Sequence, residues 1–257
     1  MSRMTQEPAM EGKVVIVTGA SSGVGYATVR RLIHSEGATV IAVARRRMFR
    51  IEALASQAGK GRLIAITADM ADRPQADALM AQVFEKYGRV DAFVHAVNRV
   101  LKLSALDVTD QEFDLTMQVN VKSALYGVQA LTPHLRRQHG GSIVIYNPTP
   151  LETEAFVASE AVYAASANAL SALANGWSRQ LSSHGIPVVE VAPSPVKEAL
   201  LATQTPHDQQ LVEALRETMF AIQRPTLVTT PDTQAQHASF SAPTVISERG
   251  GLRLMTF

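Results

Sequence analysis

The chain has 257 residues, 46% of them hydrophobic and 18% charged, enough apolar material for a buried α/β core. A net charge of +1 gives no global attraction to nucleic acid or an acidic membrane, and the absence of cysteine excludes disulfides, thiolate nucleophiles and Cys-ligated metals. Seven histidines are scattered without metal-ligand spacing, so no metal site is expected.

In chain order, residues 1–10 are polar, contain Pro8 and lack the apolar core of a secretory signal. No apolar run reaches membrane-spanning length, and the simplest reading is a cytoplasmic protein with a loose N-terminal tail. The run KVVIVT at 13–18 is continuous and β-branched, as in a strand buried on both faces of a parallel sheet. A glycine-rich turn follows, then helical periodicity over 24–35 that Gly37 should end. TVIAV at 39–43 is the next buried strand and completes a βαβ unit. The alternation continues with strand 63–67, helix 74–87, strand 90–94 and a long helix 110–139 capped by Asp110. Strand 142–146, a second long helix 159–183 and strand 187–191 come next. This order predicts an α/β fold, a Rossmann-like doubly wound parallel sheet of about seven strands in a three-layer sandwich. Residues 203–232 break the rhythm with Pro, Thr, Gln and one helical patch at 209–222. The stretch 197–230 reads equally as a cleft-covering segment or as a surface insertion. Residues 252–257 close the chain as a last strand, and 1–257 is read as a single dinucleotide-binding domain.

The loop Gly19-Ala-Ser-Ser-Gly-Val-Gly25 lies between a buried strand and an amphipathic helix. Gly19 permits a tight turn, Gly23 and Gly25 let backbone approach a diphosphate, and the helix start offers unpaired N–H groups. The expected contacts are therefore Gly19, Ser21, Ser22, Gly23, Val24 and Gly25. An acidic residue about 20 positions past such a loop would hold the ribose hydroxyls of NAD. Ala44 stands there, followed by Arg45, Arg46 and Arg47, whose guanidinium groups suit a 2′-phosphate. NADP is therefore favoured over NAD, with Arg45 and Arg46 as its contacts.

At this point the sequence resembles the short-chain dehydrogenase/reductase family. Thr18-Gly-x-x-x-Gly-x-Gly25 matches that family's glycine pattern, and the likeness runs over nearly the whole chain. Asp69-Met70 looks like the adenine-contacting pair, and Asn120 like the active-site asparagine. Tyr163 looks like the catalytic tyrosine, and Pro193 sits in the nicotinamide-side loop. Residues 231–240 follow the last-helix pattern. The resemblance implies a seven-stranded Rossmann fold and carbonyl–alcohol chemistry by hydride transfer on a small-molecule substrate. Tyr163 would move the hydroxyl proton and Asn120 would hold a relay water.

The departures from the pattern fall in the proton-transfer set. Four residues after Tyr163 stands Ala167, where the family lysine would favour phenolate. The family serine is replaced by Pro148 or Thr149, depending on one gap, and Thr149 is the candidate oxyanion donor. The fourth strand ends His95-Ala-Val-Asn98 where the family shows two asparagines, alanine and glycine. His95 is a candidate ribose donor or acid, against a structural histidine. Ser194 replaces a glycine, Lys197 is a candidate replacement cation, and Glu152, Glu154 and Glu160 border the expected pocket.

Three functions are consistent with this pattern. The first is an NADP(H)-dependent reductase of a small carbonyl with a rewired proton-transfer set. The second is a silent cofactor-binding subunit, paired with itself or with an active paralogue. The third is a non-redox enzyme using Glu152, Glu154 or His95. Relatives pair through their two long helices, which implies a homodimer or homotetramer; Ala161, Ala164, Ala165, Ala169, Leu170 and Ala174 would let helices approach closely, or face the chain's own sheet.

Overall fold

The computed structural model describes residues 10–34, 36–55, 62–148, 154–192, 244–248 and 251–255, with the backbone alone for 154–159, 192 and the last two strands. Strands β1 (Val14–Thr18), β2 (Thr39–Ala44), β3 (Arg62–Thr67), β4 (Ala92–His95), β5 (Ser142–Tyr146) and β6 (Val188–Ala192) run parallel. They are ordered β3-β2-β1-β4-β5-β6, so the winding direction reverses between β1 and β4. In such sheets the ligand crevice opens beyond the carboxyl ends of the strands at that reversal. Two further strands, β7 (Thr244–Glu248) and β8 (Gly251–Met255), extend the edge, β7 parallel to β6 and β8 antiparallel to β7. The sheet thus has eight strands among the described residues, one more than the alternation pattern suggests. The extra one is β7, whose five residues TVISE the sequence reading does not single out.

Alternation of side chains places a core on each face. Val15 and Val17 of β1 pack with α1 (Gly23–His34) and α2 (Phe49–Ala55). Val14 and Ile16 pack instead with α3 (Arg73–Tyr87), α5 (Ser123–Gln138) and α6 (Glu154–Ser182). Helix α2 has no counterpart in the sequence reading, because its seven residues hold less than two turns of periodicity.

The long helix expected at 110–139 is three elements. Helix α4 (Asp110–Met117) leads into a π-helical turn, Gln118–Lys122, and then α5. Its cap is Thr109 and not Asp110. Thr109 has extended backbone, and its hydroxyl accepts from the Glu112 N–H while the Glu112 side chain accepts from the Thr109 N–H, a full capping box. Asp110 already has its place in the first helical turn. The helix expected from residue 159 begins earlier, at Glu154, with a break at Glu160 (φ −133°, ψ 19°). On α6, Leu170 and Ala174 are buried in the chain's own core, whereas Ala165 is exposed and Ala161, Ala164 and Ala169 are half-buried.

Candidate active site

The turn after β1 is built from bare backbone. At Gly19 (φ +72°) an added Cβ would lie 2.2 Å from the Ala96 carbonyl oxygen, so only glycine lets the turn pass the chain leaving β4. At Gly25 a Cβ would lie 2.3 Å from the Gly19 carbonyl oxygen. Its bareness therefore also seats α1 on the turn's own backbone. Gly23 is the reverse case: φ is +53° and a Cβ there would meet nothing within 4 Å. The first helical hydrogen bond runs from the Tyr26 N–H to the Ser22 carbonyl at 3.2 Å. The amides of Gly23, Val24 and Gly25 thus lie in the open first turn of α1, beside exposed Ser21 and Ser22, at its positive dipole end.

A cleft of about 330 Å³ opens from this turn. Its wall runs from Gly19, Ser21 and Ser22 past Ala44, Arg45, Asp69 and Met70 to Val97, Asn98 and Arg99. Asp69 shapes its own turn, with its carboxylate accepting from the Ala71 N–H at 2.9 Å and its N–H donating to Gln75 at 2.9 Å. The three arginines divide. Arg47 is paired with Glu52 (3.0 Å) and lies over the Phe49 ring, while Arg45 lines the cleft and Arg46 is exposed beside it.

Tyr163 lies on the other side of the reversal point, brought there by α6. Its hydroxyl donates to the Pro148 carbonyl at 2.6 Å and accepts from Asn98 Nδ2 at 3.0 Å. Burial pushes its pKa above the ordinary phenol value, the Asn98 bond pulls it back in part, and the Glu160 carboxylate pushes it up further. Glu160 is itself buried and has Lys102 at 3.8 Å. Ala167, at the family lysine's position, is 2% exposed, so no cation stands there. Behind it Asn147 Nδ2 donates toward the Ala167 carbonyl (2.9 Å), Ser171 (3.0 Å) and Glu190 (2.7 Å). The Glu190 carboxyl, pushed up by burial, also accepts from Ser171 at 2.6 Å.

Asn120 sits in the π-turn with both amide protons engaged and one bond accepted. Its Oδ1 accepts from the Arg99 N–H (2.7 Å), and its Nδ2 donates to the Arg99 carbonyl (3.0 Å) and to Ser166 (2.9 Å). It fixes the chain after β4 against α6. His95 is 0% exposed and is not part of the cleft wall. Ser123 gives its own proton to the Val119 carbonyl, so His95 Nε2 donates to Ser123 (3.2 Å) and Nδ1 accepts from Thr18 (3.0 Å). Burial lowers its pKa to about 3, leaving a neutral ring without a free nitrogen for ribose or substrate. Thr149, Pro193, Ser194, Lys197 and Glu152 lie outside the described residues, as does the side chain of Glu154. Asn98, the Pro148 carbonyl and Glu190 were missed from sequence. A signal existed for two of them: Asn98 stands where the family pattern has glycine, and Glu190 interrupts the apolar strand VVEVA.

The family model described as short chain dehydrogenase matches residues 13–209. The chain belongs to the short-chain dehydrogenase family. An uncharacterized oxidoreductase of Staphylococcus aureus (strain MRSA252) is 27% identical over 201 residues, covering 78% of this chain and 85% of its own length. Among solved structures, a short chain dehydrogenase from Mycobacterium smegmatis is similar with a TM-score of 0.72 and 27% identity, covering 83% of this chain and 88% of that one. A metagenomic short-chain oxidoreductase in complex with NADP is similar with a TM-score of 0.67 and 29% identity, covering 78% of this chain and 94% of that one. Among the described residues, no helix of this family member is long and apolar enough to cross a membrane.

Proposed function

We propose that this family member reduces a small carbonyl compound with NADPH and that Tyr163 acts as a neutral acid. The observation that carries the reading is the single cleft joining the open start of α1, Arg45 and Asn98, with Asn98 bonded to the Tyr163 hydroxyl. The residues fit the cofactor. Gly23 leaves space where a side chain would stand, and the first-turn amides are open toward a diphosphate. Ala44 has no carboxylate to hold or repel at the ribose, and Arg45 has no carboxylate partner among the described residues. The related oxidoreductase that holds NADP supports the same choice.

When bound, a reduced nicotinamide supplies the hydride. The chain's own task is the proton. Tyr163 gives its hydroxyl proton to the substrate oxygen as that oxygen gains charge, and takes another from solvent afterwards. Burial and Glu160 keep the phenol protonated, which suits donation and works against the phenolate that alcohol oxidation requires. Arg45→Ala should weaken NADP⁺ by ~10-fold or more and leave NAD⁺ little changed, read by calorimetry. Ketone-dependent NADPH oxidation across a broad substrate panel tests the chemistry, and its absence in wild type with activity gained in Ala167→Lys would reject the reading.

One observation favours a second reading, a silent cofactor-binding subunit. The Tyr163 proton is held by the Pro148 carbonyl, and the carboxylate beside it opposes charge on the phenol oxygen. In that reading α5 and α6 would serve chiefly to pair the chain with itself or with an active paralogue. Normal NADP⁺ affinity with no turnover on any carbonyl is its expected signature.

A further inference from the structure

We infer that the Asn98 amide takes over the task of the missing cation, stabilising charge on the Tyr163 oxygen as its proton leaves. This deepens the reductase reading and rests on it for its catalytic meaning.

The geometry fixes the roles. The Tyr163 hydroxyl has one proton, and that proton points to the Pro148 carbonyl at 2.6 Å. Toward Asn98 the phenol oxygen can therefore only accept, so Asn98 must present N–H, as it does at 3.0 Å. Asn98 is itself part of the cleft wall, so this donor links the phenol oxygen to the cleft.

Position 98 is glycine in the family pattern, and position 167 is lysine. This chain has gained a side chain at the first and lost one at the second. A neutral amide is a weaker support than a cation, yet a hydrogen bond to a charged acceptor is about twice as strong as a neutral one. The Asn98 contact thus strengthens as the phenol ionises, a transition-state preference of the kind catalysis needs.

Among the described residues, the other groups around the phenol do not supply this support. Glu160 on α6 is a carboxylate, and its neighbour Lys102 is turned toward it at 3.8 Å. Arg99 follows Asn98 in sequence, but its Nη1 donates to Thr116 at 2.6 Å, on α4. On the sheet side Glu190 is bonded to Asn147 and Ser171. During transfer the proton leaves Tyr163 Oη for the substrate oxygen, the O–H bond breaks and a new one forms, and the hydride comes from reduced nicotinamide. The Pro148 carbonyl, an acceptor only, holds the proton before transfer and has no donor for the phenolate afterwards.

The test is the ionisation of Tyr163 in the free protein, read by ¹⁹F NMR after fluorotyrosine labelling, with Tyr163→Phe identifying its signal. Asn98→Ala should raise the Tyr163 midpoint by on the order of one unit, because a donor to the charged form is lost. Asn98→Asp should raise it further by adding a second carboxylate. NADPH turnover of a reducible ketone should fall ~10-fold in Asn98→Ala, in kcat more than in KM. A midpoint that stays or falls in Asn98→Ala overturns the inference. So does an Asn98→Asp midpoint no higher than that of wild type. Because the titration needs neither cofactor nor substrate, a raised midpoint in a protein without turnover sinks the reductase reading alone. Turnover with an unmoved midpoint sinks the Asn98 role alone.

Discussion

At the residue scale the site is governed by which side chains are protonated. Tyr163 titrates above the ordinary phenol value, so the phenolate needed for alcohol oxidation stays scarce. Oxidation measured with NADP⁺ should rise ~10-fold per pH unit from about pH 8 to 10 without reaching a plateau. Reduction should stay nearly flat over the same range until the phenol ionises. His95 shows the same physics turned to stability. Its ring is neutral and buried with a pKa lowered to about 3, whereas the unfolded ring titrates near 6.5. Between those values the unfolded chain binds the extra proton, so stability is full above pH 6.5 and is lost as pH falls toward 3. Denaturant melts should lose up to about 1.4 kcal/mol per unit in that window. The loss should be smaller in His95→Gln, which has no such proton to gain.

At the scale of elements, the glycine turn and the π-turn hold the two sides of the cleft. Gly19→Ala and Gly23→Ala should separate packing from binding. The first forces a Cβ onto the Ala96 carbonyl and should lower stability by ~3 kcal/mol or more; the second meets only the backbone penalty, about 1–2 kcal/mol. Gly23→Ala should nevertheless lose most NADP⁺ affinity, because its methyl takes the space over the open amides. Thermal melts and a binding titration on both variants check this. Asn120→Ala strands the Arg99 N–H and carbonyl and should cost about 2 kcal/mol in a chemical melt. The strands of this frame were legible in sequence because buried parallel strands are unbroken apolar runs, and 142–146 was read to the residue. The helices were less so. Helical periodicity passes smoothly through a π-turn, so 110–139 read as one helix, and the Thr109 box was overlooked beside an acidic neighbour. The glycine turn and Tyr163 stand out in the sequence because their types are distinctive. Asn98 does not, because its meaning is a 3.0 Å contact between residues 65 positions apart.

Across the whole molecule, two strands of one sheet bring the candidate cofactor groups to one crevice. The β2 end carries Arg45 and the β4 end carries Asn98, on opposite sides of β1. The proposed reductase function depends on that crevice taking a nicotinamide dinucleotide with an extra phosphate. The most direct measurement is a calorimetric titration of the full chain with NADP⁺ and, separately, with NAD⁺. NADP⁺ should bind at least ~10-fold more tightly, an advantage abolished in the double variant Arg45→Ala/Arg46→Ala. Equal affinity for both, or heat from neither, would contradict the account.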